Sequence, residues 1–186
     1  MRVQMKTILT LCLLAVAVVG CGGKTMVESD LRIKGAPDWV NEGTNVLNDR
    51  GGRLFHGVGS SKPLGDDSLQ QSTADSRARA ELARILTSYM DVVSKDYMGA
   101  AQSGGQQASE ESVSRQISAL SQVNITGSKI IARWKDKRTN IVYSLAELDL
   151  KQVKDTTETI TEMNQGLKEH IKTQGDNIFD RMAGGK

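Results

Sequence analysis

The clearest hydrophobic pattern in the chain is helical and extends from residue 68 to 98. Apolar residues recur there at steps of three and four, the spacing that places side chains on one face of an α-helix. The members of this face are Ala74, Ala78, Leu82, Ile85, Leu86, Tyr89 and Val93. Charged residues occupy the other faces. The small Ala74 and Ala78 favour close approach to a sheet, so we predict a helix over 68–98 that packs across one.

Three shorter segments, 53–61, 123–134 and 141–150, have the composition and pattern of β-strands. The last of them alternates, with Ile141, Tyr143 and Leu145 on one face. The polar residues 135–140 before it indicate a turn, so the second and third strands are predicted to form an antiparallel hairpin. Gly57 and Gly59 in the first strand indicate a close backbone approach or a strand end. Residues 62–67 are predicted to form a turn.

Two further helices are predicted after a Gly- and Ser-rich loop over 99–109. The first covers 110–121. The second covers 151–182 and has a long apolar stripe of Val153, Ile160, Met163, Leu167, Ile171, Ile178 and Met182. Either its first half packs on the sheet and the rest frays, or its far half pairs with another subunit. The predicted class is α+β: a small antiparallel sheet, one long helix packed across it and a long C-terminal helix.

The N-terminus has a different pattern. Arg2 and Lys6 precede an apolar run from Ile8 to Val19, which Thr10 and Cys12 interrupt. A basic start followed by a short apolar stretch is typical of a secretion signal. A membrane-spanning helix needs ~20 apolar residues, and this run is shorter. We therefore predict that residues 1–20 are a signal peptide.

The end of the apolar run, Val18-Val19-Gly20-Cys21, resembles a lipobox, the processing site of bacterial lipoproteins. The resemblance implies a diacylglycerol thioether on Cys21, cleavage after Gly20 and acylation of the new N-terminus. A thiolate suits this reaction because it is a strong nucleophile. Several acyl chains anchor a protein stably, whereas one chain alone binds marginally. Gly22, rather than Asp, follows the cysteine, and by resemblance to enterobacterial sorting this favours the outer membrane. We expect the domain on the periplasmic face rather than on the cell surface.

Beyond Cys21 the chain divides into a tether and one domain. Residues 21–36 mix Gly, Ser, Thr and charge, which is typical of a flexible tether. Residues 37–186 have the size of a single domain. Trp39, at its start, is predicted to pack at the edge of the core, with ligand stacking as the alternative.

Charge and cysteine content exclude several classes of protein. The chain has 24 Lys+Arg and 22 Asp+Glu. Loss of Arg2 and Lys6 with the signal leaves the two counts equal, so the mature chain lacks the basic excess of a nucleic-acid-binding protein. Cys12 leaves with the signal and Cys21 is acylated, so no disulfide is expected in the mature chain.

Candidate catalytic and metal-binding residues are sparse. The two histidines, His56 and His170, have no cysteine partner and no metal-ligand spacing, and a structural role is predicted for His56. Gly57-Val58-Gly59 lacks the spacing of a phosphate-binding loop. The acidic pairs Asp66-Asp67 and Glu110-Glu111 are predicted to be solvated. We expect no catalytic residue, no metal, no cofactor and no enzymatic activity.

The basic stretch Lys135, Lys137 and Arg138 lies in the predicted hairpin turn and includes Asp136. Contact with an anionic polymer or with lipid headgroups is one interpretation of it. A solvated turn is the interpretation that we favour, because such charge clusters are ordinarily hydrated.

Several short motifs together resemble the Lpp-twenty family of small bacterial outer-membrane lipoproteins. They are Pro37-Asp38-Trp39-Val40, Gly57-Val58-Gly59-Ser60, the Ala/Arg-rich segment from Ala74 to Ala83, Trp134 and Tyr143-Ser144-Leu145-Ala146. The resemblance covers residues 37 to 150. The family includes surface antigens and the flagellar lipoprotein P, which forms a disk or ring beneath the outer membrane. No catalytic residues carry over from it.

The resemblance implies a non-catalytic structural or assembly role in the cell envelope. The expected partners are the lipid bilayer through acylated Cys21, other envelope proteins and further copies of the chain. Two more specific roles remain open: a component of a flagellar ring needed for motility, and a module that regulates a peptidoglycan enzyme.

Overall fold

The computed structural model describes residues 31–43, 52–104 and 109–184 of the 186-residue chain. Within these ranges the elements are α1 (Asp38–Asn41), β1 (Leu54–Ser61), α2 (Asp67–Ser103), α3 (Glu110–Thr126), β2 (Lys129–Lys135), β3 (Val142–Asp149), α4 (Leu150–Thr159) and α5 (Gln165–Gly184). The order of helices and strands confirms the predicted α+β class.

The three strands form one antiparallel sheet in the order β1-β3-β2. β2 and β3 are the two arms of the predicted hairpin. The buried Asp136 fixes the turn between them, because its carboxylate accepts hydrogen bonds from the Arg138 backbone N–H (2.9 Å) and the Thr139 hydroxyl (2.5 Å). Asn140 completes the turn with a positive φ of 57°, a conformation that asparagine tolerates better than most residues.

Helix α2 packs across one face of the sheet at very short range. A Cβ built on Gly57 or Gly59 would collide with backbone atoms of α2 around Ala78. The helix contributes two fully buried alanines to this contact, Ala74 and Ala78. The prediction of a close backbone approach at the two glycines is confirmed, and glycine facing alanine is the composition that such a short separation requires.

Helix α2 is much longer than the sheet that it covers. Its 37 residues span about 55 Å at 1.5 Å per residue, whereas the eight residues of β1 span about 26 Å. Beyond the sheet, α2 packs on α3 and α5. One continuous hydrophobic core therefore joins a sheet part to an all-helical part. Its largest fully buried members are Tyr89, Leu82, Leu86, Met90, Leu120, Leu148, Leu150, Leu167, Ile171 and Ile178.

Two predicted boundaries on either side of the Gly- and Ser-rich segment are wrong. Helix α2 continues to Ser103, through residues predicted to be loop. Helix α3 continues to Thr126, so residues 123–126, predicted to begin a strand, are helical. The reason is burial at helical spacing: Ile117, Leu120 and Asn124 face the interior, while Val123 is 52% exposed. The strand begins only after Gly127 ends the helix.

The predicted C-terminal helix is two helices, α4 and α5, separated by residues 160–164. Asn164 begins the second one, because its side-chain oxygen accepts hydrogen bonds from the backbone N–H groups of Gly166 (2.8 Å) and Leu167 (3.2 Å). The break lets α5 fold back against α4 and α2.

The first half of the C-terminal apolar stripe packs against the sheet as predicted, since Val153 is completely buried, but the fraying predicted for the rest is wrong. Leu167, Ile171 and Ile178 are completely buried within this chain, so the far half of the stripe neither frays nor needs a second subunit to cover it. Met182, at its end, is 41% exposed.

An aromatic cluster ties α5 to the sheet. Phe55, Tyr89 and Phe179 make edge-to-face contacts, with ring centroids 5.0 Å apart for Phe55 and Phe179 and 5.2 Å apart for Phe55 and Tyr89. The Tyr89 hydroxyl donates to the backbone oxygen of Gly175 at 3.0 Å, and burial raises the pKa of this hydroxyl above its usual value. The phenol therefore remains a hydrogen-bond donor throughout the physiological pH range.

Tyr89→Phe is expected to lower the free energy of unfolding by about 1 kcal/mol, because the substitution leaves the buried Gly175 oxygen without this donor. Hydrogen exchange should become faster in α5 before it changes in the strands. Urea unfolding and exchange mass spectrometry measure the two effects. Unchanged protection of α5 would contradict the role given to this bond.

Candidate functional site

The residue with the strongest predicted chemistry, Cys21, lies outside the described residues, as does the signal peptide predicted before it. Residues 31–43, 52–104 and 109–184 include no helix that is both long enough and apolar enough to span a bilayer. The first described segment is attached to α1: the Ile33 N–H donates to the Asn41 side-chain oxygen (2.8 Å), and the Asn41 amide donates to the Ile33 oxygen (3.1 Å). Trp39 in α1 is half-buried and Val40 is fully buried.

His56 lies in β1 and is buried, with 7% of its surface exposed. Its Nε2 atom is 3.0 Å from Oε2 of Glu147, the register partner of His56 on β3. The pair links the two strands on the face of the sheet opposite α2. This cross-strand contact agrees with the structural role predicted for His56.

His170 lies far from His56, on α5, and its Nε2 atom is 3.1 Å from the Asp96 carboxylate on α2. Arg181 contacts the same carboxylate at 3.3 Å, and the ring of Tyr97 packs on the imidazole. His56 therefore lies in a contact between two strands, and His170 lies in a separate contact between two helices. Among the described residues, no group of three or more His, Cys, Asp or Glu side chains is arranged to hold a metal ion.

The acidic pairs have structural roles at helix starts. The Asp66 carboxylate accepts a hydrogen bond from the Leu69 N–H at 2.9 Å and caps α2, while Asp67 contacts Lys135 at 3.2 Å. Glu110 and Glu111 occupy the first turn of α3, where a negative charge stabilises the helix dipole. All four residues are exposed, which confirms the prediction that these acids are solvated.

A polar cluster centred on the buried Asp75, which was not predicted from the sequence, joins α2 to both strands of the hairpin. Asp75 of α2 accepts two hydrogen bonds from the Arg133 guanidinium (2.8 and 2.5 Å) and one from the Ser144 hydroxyl (2.7 Å). Asp75 is 8% exposed, and its hydrogen bonds to Arg133 and Ser144 hold the pKa of its carboxyl below the usual value. One signal in the sequence points to it: Asp75 adjoins Ala74 on the face that contacts the sheet, where a charged residue requires a partner.

Near this cluster is a shallow cleft of about 220 Å³ between α2 and the outer strand β2. It is lined by Gln71, Arg133, Trp134, Lys135 and Val142. Its volume is below the range of about 300–1,000 Å³ that small-molecule sites occupy. Both of its cations already contact carboxylates, Arg133 with Asp75 and Lys135 with Asp67. The cleft is part of the helix–sheet contact rather than a formed ligand site.

Within the described residues, the polar side chains singled out by the sequence lie apart. His56 joins β1 to β3, His170 joins α5 to α2, Asp67 joins α2 to β2, and Asp66, Glu110 and Glu111 lie at helix starts. The structure does not bring them together into one catalytic constellation. Comparison of the sequence with protein-family models and with curated proteins gives no match.

Proposed function

We propose that this chain is a lipoprotein anchored to the bacterial outer membrane through acylated Cys21, with a non-catalytic structural or assembly role in the cell envelope. The observation that carries the proposal is the position of Cys21, directly after Gly20 at the end of a short apolar run with a basic start. Two or three acyl chains on one residue suffice for a stable anchor.

The contacts of the folded part support a structural role. Its candidate chemical groups stabilise the fold: Asp75 with Arg133, His56 with Glu147, and Asp96 with His170. A domain that uses its acids and histidines as cross-links between elements is suited to presenting a rigid surface. The envelope proteins that such a surface contacts are its expected partners.

Cys21→Ser is expected to abolish membrane attachment, because the hydroxyl cannot form the thioether that holds the lipid. Wild-type protein should incorporate radiolabelled palmitate, remain in the membrane fraction after carbonate washing and have the mass of an acylated chain. Cys12→Ser is the matched control, since it removes the other cysteine and should leave all three readouts unchanged. An unmodified thiol in the native protein, or release of wild-type protein by plain buffer, would refute the proposal.

The resemblance to the Lpp-twenty family supplies two narrower versions of this role. A flagellar-ring role requires that deletion of the gene impair swimming. A regulatory role toward cell-wall synthesis requires that a peptidoglycan synthase be recovered with the protein from envelope extracts. Normal swimming removes the first version, and failure to recover a synthase counts against the second.

A further inference from the structure

Two turns that are distant in sequence lie side by side at one end of the sheet. Ser61 at the end of β1 is the register partner of Val142 at the start of β3. The Gln70 side chain fixes this arrangement, because its Nε2 donates to the backbone oxygens of both Ser61 (3.1 Å) and Asn140 (2.7 Å). Gln70 itself is 2% exposed. The β1–α2 turn and the β2–β3 turn therefore form a single rigid end of the molecule.

This end exposes two leucines. Leu64 is 48% exposed in the β1–α2 turn, and Leu69 is 54% exposed in the first turn of α2. Their backbone positions are set by Gly65, whose φ is +79°, and by the Asp66 cap that accepts from the Leu69 N–H. The leucines are thus held outward by a well-bonded turn.

The same end carries more basic than acidic side chains: Lys62, Lys135, Lys137 and Arg138 against Asp66, Asp67 and Asp136. Lys62, Lys137 and Arg138 are exposed, and within the described residues none of their side chains forms an ion pair. Each of the three acids makes a short-range contact: Asp66 caps α2, Asp67 contacts Lys135, and Asp136 holds the hairpin turn and attracts Arg138. We name the set Lys62, Leu64, Leu69, Lys137 and Arg138 the leucine tip.

We propose that the leucine tip binds the surface of an anionic phospholipid bilayer. Exposed leucines beside lysine and arginine are the composition of proteins that lie at a membrane interface, where apolar side chains enter the acyl boundary and cations contact phosphates. At the far end of the sheet the cation is ion-paired instead: Arg53 contacts Asp176 (3.5 Å) and Asp180 (2.7 Å). The inference rests on the proposed lipid anchor, which holds the domain near the bilayer and leaves its orientation to the tip.

The test uses the lipidated protein, extracted in detergent and reconstituted into vesicles of phosphatidylethanolamine and phosphatidylglycerol. With Cys21 acylated and Cys12 removed, Leu64→Cys supplies one free thiol for an environment-sensitive fluorophore. Its emission should shift to the blue, and nitroxides attached to lipid should quench it severalfold more than a fluorophore on Asn177→Cys, an exposed position in α5 near Asp176. Replacing phosphatidylglycerol with phosphatidylcholine should reduce the quenching.

Charge variants test the same contact in a second way. Lys62→Glu with Lys137→Glu, in the Leu64-labelled protein, should lower the quenching to the level of the Asn177 label. Lys95→Glu with Lys168→Glu makes the same charge change at helical positions outside the tip, where neither lysine forms an ion pair with a described residue, and should leave the quenching unchanged. Circular dichroism confirms that each variant is folded.

The two proposals fail in distinguishable ways. Equal quenching of the Leu64 and Asn177 labels in a protein that mass spectrometry shows to be lipidated would overturn the membrane contact alone. Shielding of the Leu64 label only after addition of envelope proteins would identify a protein partner and also overturn it. Absence of lipid on Cys21 would instead refute the proposed function.

Discussion

Gly57→Ala is expected to lower the free energy of unfolding by about 3 kcal/mol or more. The added methyl group would collide with the backbone of α2 at Ala78 and Leu82, and a helix backbone cannot rotate aside as a side chain can. The helix must therefore move away from the sheet, which loosens the contacts of Ala78 and Leu82, both completely buried. Urea unfolding followed by circular dichroism measures the change.

Gly99→Ala is the matched control for this prediction. Gly99 lies inside the same helix, α2, but a Cβ at this position meets no atom within 4 Å. Alanine there should raise the free energy of unfolding by about 1 kcal/mol, because it favours the helical conformation. The same chemical change is thus expected to have opposite signs at two positions. Equal effects at Gly57 and Gly99 would show that the close contact of α2 with β1 does not determine how much the added methyl group destabilises the fold.

Asp75→Asn is expected to lower the free energy of unfolding by about 2 kcal/mol at pH 7, because it leaves the Arg133 guanidinium without its bidentate carboxylate partner. The neutral amide retains the size of the side chain, so the loss reports the charge together with the one acceptor oxygen that the amide lacks. Glu81→Gln is the control. It removes a carboxylate from an i,i+3 contact with Arg84 on the solvent side of the same helix and should cost below about 0.5 kcal/mol.

The effect of Asp75→Asn should depend on pH in one direction. Hydrogen bonds from Arg133 and Ser144 hold the pKa of Asp75 in the folded protein below its ordinary value of 3.8. The stabilisation is therefore complete above that value and is lost as the pH falls through the lower pKa of the folded state. The difference between wild type and variant should shrink in acid. A difference independent of pH would show that the carboxylate charge does not stabilise the fold.

The sequence was most informative where burial has a regular period. Ala74, Ala78, Leu82 and Leu86 are all completely buried, and their spacing correctly predicts the helix that crosses the sheet. The alternation in 141–150 correctly predicts the central strand. The interpretation of Gly57 and Gly59 as a close approach also holds, because only a residue without a side chain fits beneath a helix at that distance.

The errors have a common physical cause in tertiary contacts. Val123 and Ile125 have the β-branched side chains of a strand, yet residues 120–126 are helical because Leu120 and Asn124 are buried one turn apart. The C-terminal stripe has helical spacing on both sides of residues 160–164, so periodicity alone does not reveal the break. The first helix ends at Thr159, and Asn164 then caps a new start that places α5 against the core.

The polar contacts were predicted less completely than the core. Asp75 and Arg133 are 58 residues apart, and no local pattern pairs them. The sequence places Asp66 and Asp67 in a turn. It does not show that Asp66 caps α2 while Asp67 contacts Lys135, because the second contact depends on where β2 lies. Cys21 is the opposite case: its predicted chemistry follows from adjacent residues alone, because lipid attachment is directed by a short linear motif.

The length of α2 has a consequence for the way the domain unfolds. A single helix forms one wall of the sheet part and one wall of the helical part, so neither part can melt while the other keeps a complete set of neighbours. Partial unfolding that separates them would have to break the helix in its middle, around the buried Leu86 and Met90. We therefore expect one cooperative transition, with a shared midpoint for probes placed at opposite ends of the molecule.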